Sequence, residues 1–508
     1  MDYERSAGIL LHPTSLAGRY GIGDIGPSAF RWIDFLVESK LRLWQILPLG
    51  PTGYGDSPYA SSSSFAGNPM LISLDHLVTT GDLEQSDIEA APEFPTDHVD
   101  FGGAIAFKYP LLMKAARTFL KRTVFDSRFN AYGDFFKKHA SWLDDYALFT
   151  AIKEHFDAKA AREQSPESIW NRYWEQDIAR RTPEAIVRWK AECAAEINIQ
   201  KVLQFFFFEQ WLALKSYANE KQISIIGDLP IYVSEDSADV WASPESFRMD
   251  EDCCPVLVAG VPPDYFSETG QLWGNPVYNW QAMEANEFQW WIRRFKGTRE
   301  LVDILRVDHF RGFEAGWSIP AGEKTAVNGE WIKAPGMALF AEVHKQLGEL
   351  PILAEDLGLI TPEVEFLRDN NHFPGMRILQ FAFENAQDRS SIFLPHNHIK
   401  NSVVYTGTHD NDTILGWYQG RSDLEKARIQ DYFGHQLTDV AWDFIRVAFA
   451  STAQLAIIPM QDALRLPSEC RMNTPATSSG NWGWRMEATA LTPELSAQLA
   501  QLTHIYDR

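Results

Sequence analysis

The sequence predicts an α/β fold, a closed (β/α)8 barrel enlarged by insertions. Three observations carry that expectation: eight short apolar runs that stop at polar residues, helical sequence between them, and one gap far longer than a crossover needs. Parallel strands covered by helices on both faces read as continuous apolar runs rather than as alternating ones. In chain order the runs are residues 8–11 before His12, 41–47 before Pro48, 223–226 before Gly227-Asp228, and 301–307, interrupted by Arg306, before Asp308. The other four are 352–354 before Glu355, 377–383, 403–405 before the polar stretch 406–412, and 455–458 before Pro459. In such barrels the catalytic groups lie at the C-terminal ends of strands, where these polar residues fall.

About 174 residues separate the second run from the third, whereas a βαβ crossover needs about 30, so a subdomain is inserted there. Apolar residues recur at helical spacing over 110–122, 142–156 and 185–218, and the insertion, roughly 80–220, reads as mainly helical. Its Phe205-Phe206-Phe207-Phe208 run fits a helix packed on both sides better than a functional strip. Residues 243–280 are rich in Pro, Gly, Asp and Trp and follow neither period, which marks a long loop acting as a lid. The whole of 1–508 then forms one catalytic barrel unit carrying these insertions.

Composition narrows the function. The chain has 508 residues, with 46 Lys and Arg against 68 Asp and Glu and a net charge of −22. That surplus opposes binding to nucleic acid or to an anionic membrane, both of which need clustered cations. A hydrophobic fraction of 45% excludes the disordered classes. Residues 1–6 carry charge and no apolar stretch, and no later run approaches the ~18 residues of a membrane span. Four Cys with no CxxC spacing suit neither a disulfide framework nor a metal site, so a reduced cytoplasmic setting is expected. The sequence leaves the oligomeric state open.

Aromatic residues make up 13% of the chain, and several lie beside Gly, Asn and Asp, as in Leu272-Trp273-Gly274-Asn275 and Gly480-Asn481-Trp482-Gly483-Trp484. Rings that merely anchor loops give such patterns, and so do rings that stack on the C–H face of a sugar.

Three acids stand at the mouths of the fourth, fifth and seventh strands: Asp308, Glu355 and Asp410. Two carboxyls cleave a glycosidic bond when one is protonated to meet the leaving oxygen and the other is ionised to meet the anomeric carbon. Arg306, two residues before Asp308 on the same strand face, keeps Asp308 ionised; Glu355 has no Arg at the equivalent place and is expected to hold its proton. Each acid–base pair taken alone reads more readily as a rim salt bridge; three such sites at the ends of expected barrel strands favour the catalytic reading. A metal centre fits less well, because no His-x-His or HExxH pattern accompanies the acids.

These residues closely resemble the signatures of the 4-α-glucanotransferases, also called amylomaltases or disproportionating enzymes, glycoside hydrolase family 77 of the α-amylase clan. The resemblance rests on Arg306-Val307-Asp308-His309-Phe310-Arg311-Gly312, Ala354-Glu355-Asp356-Leu357-Gly358 and Thr406-Gly407-Thr408-His409-Asp410-Asn411, with spacings of 47 residues from Asp308 to Glu355 and 55 from Glu355 to Asp410. It extends to Leu11-His12-Pro13-Thr14-Ser15-Leu16, Gly55-Asp56-Ser57-Pro58-Tyr59, Gly227-Asp228-Leu229-Pro230, Gly260-Val261-Pro262-Pro263-Asp264-Tyr265-Phe266 and Asn481-Trp482. It implies that Asp308 is the nucleophile, Glu355 the general acid/base and Asp410 the transition-state stabiliser. Arg306, His309 and His409 are implied to line the donor side, and Tyr59, Ser57 and Asp228 to hold the glucan. Asp264, Gln271, Trp273 and Asn275 are implied to close over the acceptor side. Asn473 is implied to bind substrate as well, although its Asn473-Thr474-Pro475 loop continues with Ala476 where many members have Gly. The implied reaction exchanges α-1,4-glucan segments among maltooligosaccharides, starch or glycogen by a retaining double displacement, with no cofactor or metal. An α-glucan hydrolase of the same clan and a non-catalytic glucan-binding barrel are the competing readings.

Overall fold

Strands form where β-branched and leucine side chains can be buried on both faces. In the computed structural model, which describes residues 3–263, 267–384, 388–477 and 479–508, twelve strands are present among the described residues. They are β1 (Ser6–Leu10), β2 (Leu43–Gln45), β3 (Ser224–Leu229), β4 (Leu257–Val261), β5 (Gln271–Pro276), β6 (Ile304–Val307), β7 (Ala315–Pro320), β8 (Glu330–Lys333), β9 (Ile352–Ala354), β10 (Gly375–Ile378), β11 (Ser402–Tyr405) and β12 (Leu455–Pro459). Eight of them close a parallel barrel in the order β1-β12-β11-β10-β9-β6-β3-β2. Each of the eight expected runs holds one barrel strand.

The register differs from expectation at one strand. Residues 377–383 were the expected sixth strand, but β10 begins at Gly375, and Gln380–Phe383 is a 3-10 turn. Gly375 pairs with Ala354 and lies against the buried Asp356 carboxylate, which a Cβ would meet at 2.2 Å. The strand therefore has to open on a residue with no apolar signature.

Between β2 and β3 the chain runs through helices from Leu74–Thr79 to Ala194–Glu220. The two longest, Ser127–Glu163 and Ala194–Glu220, pack together, and all four of Phe205–Phe208 are buried. Phe205 and Phe206 meet Phe119, Phe208 meets Phe135 and Trp142, and Phe207 lies flat on Trp211. The Phe207 ring occupies the space where Gly67 has no side chain; a Cβ there would stand 1.9 Å from it.

The stretch 243–280, expected to be a loop, contains β4 and β5. These join β7 and β8 in a four-stranded antiparallel sheet of order β5-β4-β7-β8. Its strands hide from periodicity because the β4–β5 register shifts between Val258 and Gly260, and Gly260 lets the partner backbone approach to where a Cβ would be 2.2 Å from the Gln271 carbonyl.

The barrel closes by parallel pairing of β1 with β12, and two arginines brace that seam. Arg508 is buried and donates to six backbone carbonyls: those of Ser6, Ala448, Phe449, Ser451, Ala453 and Gln454. Arg5 adds bonds to the carbonyls of Phe449, Ala453 and Tyr506. Removing Arg508 strands buried acceptors, and hydrogen bonds to a charged group are the strong ones. Arg508→Ala is expected to destabilise the fold by about 3 kcal/mol, read as a lower denaturant midpoint at unchanged slope. Arg508→Lys recovers only part of it, because an ammonium has three donors and a guanidinium five. Among the described residues no helix is long and apolar enough to cross a membrane.

Candidate active site

The site is built outward from Arg306. Strands β3 and β6 pair with Asp228 opposite Arg306, and both side chains turn to the same face. Arg306 is 3% exposed; its Nη1 donates to Asp228 Oδ2 at 2.6 Å and to Asp308 Oδ1 at 2.9 Å. Tyr59, on the loop after β2, donates its hydroxyl to the same Asp228 oxygen at 2.6 Å. Ser57 accepts from the Tyr59 backbone N–H at 3.2 Å, which fixes the turn that presents the ring.

Glu355 enters from the neighbouring strand. The β6–β9 register sets Val307 beside Ala354, so Asp308 and Glu355 are the next residues along two adjacent strands. Glu355 Oε2 accepts from the His309 N–H at 2.6 Å and Oε1 from the Leu357 N–H at 3.1 Å. His309 has φ 47°, the left-handed region that non-glycine residues rarely adopt, and this turn directs its N–H at the carboxylate. The Phe310 N–H bonds the Glu355 carbonyl as well.

Asp410 follows β11. Its Oδ1 accepts from Asn473 Nδ2 at 2.7 Å, and its Oδ2 stands 3.3 Å from His409 Nε2. Arg471, which the sequence reading did not single out, donates to the backbone carbonyls of Asp410 and Asn473 and so ties the two loops together. Tyr59 stacks on His409 with centroids 5.1 Å apart and 16° between planes, and Trp482 leans on both rings. That aromatic wall spans from the Asp228 side of the rim to the Asp410 side.

Charge follows from this geometry. Arg306 titrates well above its ordinary value; burial opposes its charge, but Asp228, Asp308 and Glu355 together outweigh that. Burial pushes Asp308 up to about 6, with Arg306 pulling the other way, so Asp308 is ionised at pH 7. Burial, then the like charge of Asp308, pushes Glu355 up to about 8. Burial acts on Asp410 in the same direction, yet the charge and hydrogen bond of His409, with Asn473 behind them, hold it below the usual carboxylate range. His409 is raised because Asp410 overcomes the effect of burial, whereas burial lowers His309 to about 3 and leaves it neutral. Two neighbouring acids thus have opposite protonation at neutral pH, and the third is an anion.

The acids face solvent: the Asp308 side chain is 26% exposed and that of Asp410 46%. Trp273, on β5, packs edge-on against His309 with centroids 4.9 Å apart and remains 38% exposed. Gln271 accepts from the Trp273 indole N–H at 3.1 Å. Asn275 spends its amide on the Val233 carbonyl at 2.8 Å, pinning the β5 strand to the segment after β3. Asp264 lies outside the described residues. Asp228 Oδ1, Arg306 Nε, His309 Nε2 and His409 Nδ1 are buried without a protein partner.

A cluster of carboxylates at the C-terminal rim of a parallel barrel, one held protonated beside one held ionised, defines the class of barrel enzymes that act on glycosidic bonds. A family model described as 4-alpha-glucanotransferase matches residues 11–491. The chain is 50% identical to the 4-alpha-glucanotransferase of Synechocystis sp., over 99% of this chain and 98% of that one, and 48% identical to that of Thermus thermophilus over the full length of both. Among solved structures it matches an amylomaltase from Streptococcus agalactiae in complex with acarbose, with a TM-score of 0.94 at 42% identity, covering 99% of this chain and all of that one. The chain belongs to the 4-alpha-glucanotransferase family and is an enzyme of that kind.

Proposed function

We propose that the enzyme exchanges α-1,4-glucan segments between oligosaccharides through a covalent intermediate on Asp308. The observation that carries this reading is the placement of Asp308 and Glu355 at the ends of two adjacent strands, with Arg306 on the Asp308 carboxylate and backbone N–H groups on that of Glu355. Asp308 attacks the anomeric carbon as the C1–O bond to the leaving sugar breaks, and the leaving oxygen takes the proton from Glu355. Glu355, now ionised, accepts the proton of an incoming 4-hydroxyl, and that oxygen displaces Asp308 from C1. Two inversions retain the configuration. Asp410, kept anionic by His409 and oriented by Asn473, accepts hydrogen bonds from sugar hydroxyls and favours the positively charged transition state. Tyr59, His409 and Trp482 provide the apolar surface beside it.

Transfer in roughly 55 M water requires the acceptor sugar to be held in place and solvent to be kept out. Residues 243–280 serve as the cover over the acceptor side, a role supported by Trp273, which β5 presents beside the rim with 38% of its surface exposed. Maltooligosaccharides, starch and glycogen are the proposed substrates. A cytoplasmic placement is supported by the four cysteines, all free.

Pure maltotriose tests the reaction. Glucose together with a ladder of oligomers longer than the substrate is the expected outcome on thin-layer chromatography. Maltose and glucose with nothing longer would instead identify a hydrolase of the same clan, in which water takes the acceptor's place.

A further inference from the structure

A second cleft opens between the helical insertion and the barrel, with a volume of about 400 Å³, within the ~300–1,000 Å³ range of small-molecule sites. None of the three acids lines it, nor does Arg306. Its apolar surface is aromatic. Phe65 stacks on Trp142 with centroids 6.3 Å apart and 16° between planes, and Trp290 meets Phe65 edge-on. Trp142 is only partly buried, and its indole N–H donates to His139 Nδ1.

The polar lining is close to balanced in charge. Lys138, Arg293 and Lys296 supply cations, while Asp145, Asp239, Glu245 and Glu300 supply acids. Several of these are already engaged: Asp145 holds Arg181, and Glu300 holds Lys138 and His139. Among the described residues, Arg293 and Lys296, one helical turn apart on Gln289–Leu301, form no ion pair. Asp239 is 5% exposed; its Oδ2 accepts from the Ser64 N–H at 2.7 Å, but its Oδ1 is buried without a partner. An anion would meet more acids than cations here, and a cation would meet the unpaired Arg293 and Lys296. A neutral polyhydroxyl ligand meets no such penalty: its hydroxyls donate to Asp239 and accept from Arg293 and Lys296, and its C–H face lies against the partly exposed Phe65–Trp142 pair.

We infer that this cleft is a second glucan-binding site, separate from the carboxylate cluster, that holds a long α-glucan while one of its chains is processed. Ser63, 3% exposed, stands in the wall between this cleft and the smaller pocket that contains Tyr59 and Asp228, so the cleft lies beside the reaction centre on the same side of the barrel. A bound polymer keeps its chain ends at high effective concentration near the reaction centre, whereas a trisaccharide is too short to gain from this. The inference rests on the transferase reading for its choice of ligand.

Two variants test it: Trp142→Ala, and the double variant Arg293→Ser, Lys296→Ser on the exposed helix face. Each is assayed with maltotriose and with amylopectin, and run on native gels containing amylopectin. The expected result is unchanged turnover of maltotriose, a roughly tenfold rise in KM for amylopectin, and weaker gel retardation. Should Trp142→Ala fail to fold, the double variant decides alone. Parental KM and retardation in the folded variants would overturn the second site. Failure of the unsubstituted enzyme to lengthen maltotriose would overturn the transferase reading instead, and the gel retardation would still report on the cleft.

Discussion

Asp308→Asn is expected to lower the turnover of maltotriose by about 10⁴-fold or more, because it removes the atom that forms the covalent bond and leaves no substitute within the cluster. The amide is nearly isosteric, and Arg306 keeps its shorter bond to Asp228, so the fold should hold. The structural consequence is confined to one hydrogen bond, from Arg306 Nη1 at 2.9 Å, which the Asn oxygen can still accept. Glucan binding should persist, because Tyr59, His409 and Trp482 are untouched. The check is an initial-rate assay alongside circular dichroism and a maltoheptaose titration. A variant that folds, binds and turns over within tenfold of the parent would show that Asp308 is not the nucleophile, and that the reading of Arg306 as its guardian is mistaken.

The barrel was legible because its strands are buried on both faces, which leaves an apolar run with an abrupt polar end as the trace of each one. That signal fails where backbone rather than side chain dictates the structure. β10 starts on Gly375 because Asp356 leaves no room for a side chain, and β4 is broken by a register shift at Gly260, so neither shows the expected pattern. The acids were legible for the same reason as the strands, since they terminate three apolar runs. Their electrostatic setting was only half legible. The Arg306–Asp308 pair is local in sequence, and so is its effect. The link from Tyr59 to Asp228 joins residues 169 positions apart, and no spacing rule reveals it; family resemblance alone brought those two residues together. Arg471 and Arg508 escaped notice because they act on backbone carbonyls, which every residue possesses, and so leave no partner type to search for. For Asn275 and Ser57, which the resemblance implies bind substrate, the structure adds a hydrogen bond to backbone that no spacing reveals, the amide of Asn275 to Val233 and the hydroxyl of Ser57 to Tyr59.

Glu355→Gln is expected to reduce maltotriose turnover by about 10²- to 10⁴-fold, the usual contribution of a positioned acid/base. The direction of the pH dependence follows from the two raised values. Below about 6 the Asp308–Glu355 pair is doubly protonated and has no nucleophile; above about 8 it is doubly ionised and has no acid. Activity requires one proton on the pair, so kcat/KM should rise with pH through about 6 and fall through about 8, and the two limbs belong to the pair rather than to either residue. Glu355→Gln cannot ionise and should abolish the upper limb. The amide also has a geometric cost: Glu355 accepts from two backbone N–H groups, of His309 and Leu357, and Gln can present an oxygen to only one of them. A loss of rate alone would therefore not separate proton transfer from misplacement. A substrate whose leaving group needs no proton does separate them. With maltosyl fluoride, the first-turnover burst of fluoride from Glu355→Gln should approach the parental rate if Glu355 supplies a proton, whereas misplacement would slow maltotriose and the burst alike. Equal losses on both substrates, with the upper limb still present, would move the acid/base role away from Glu355.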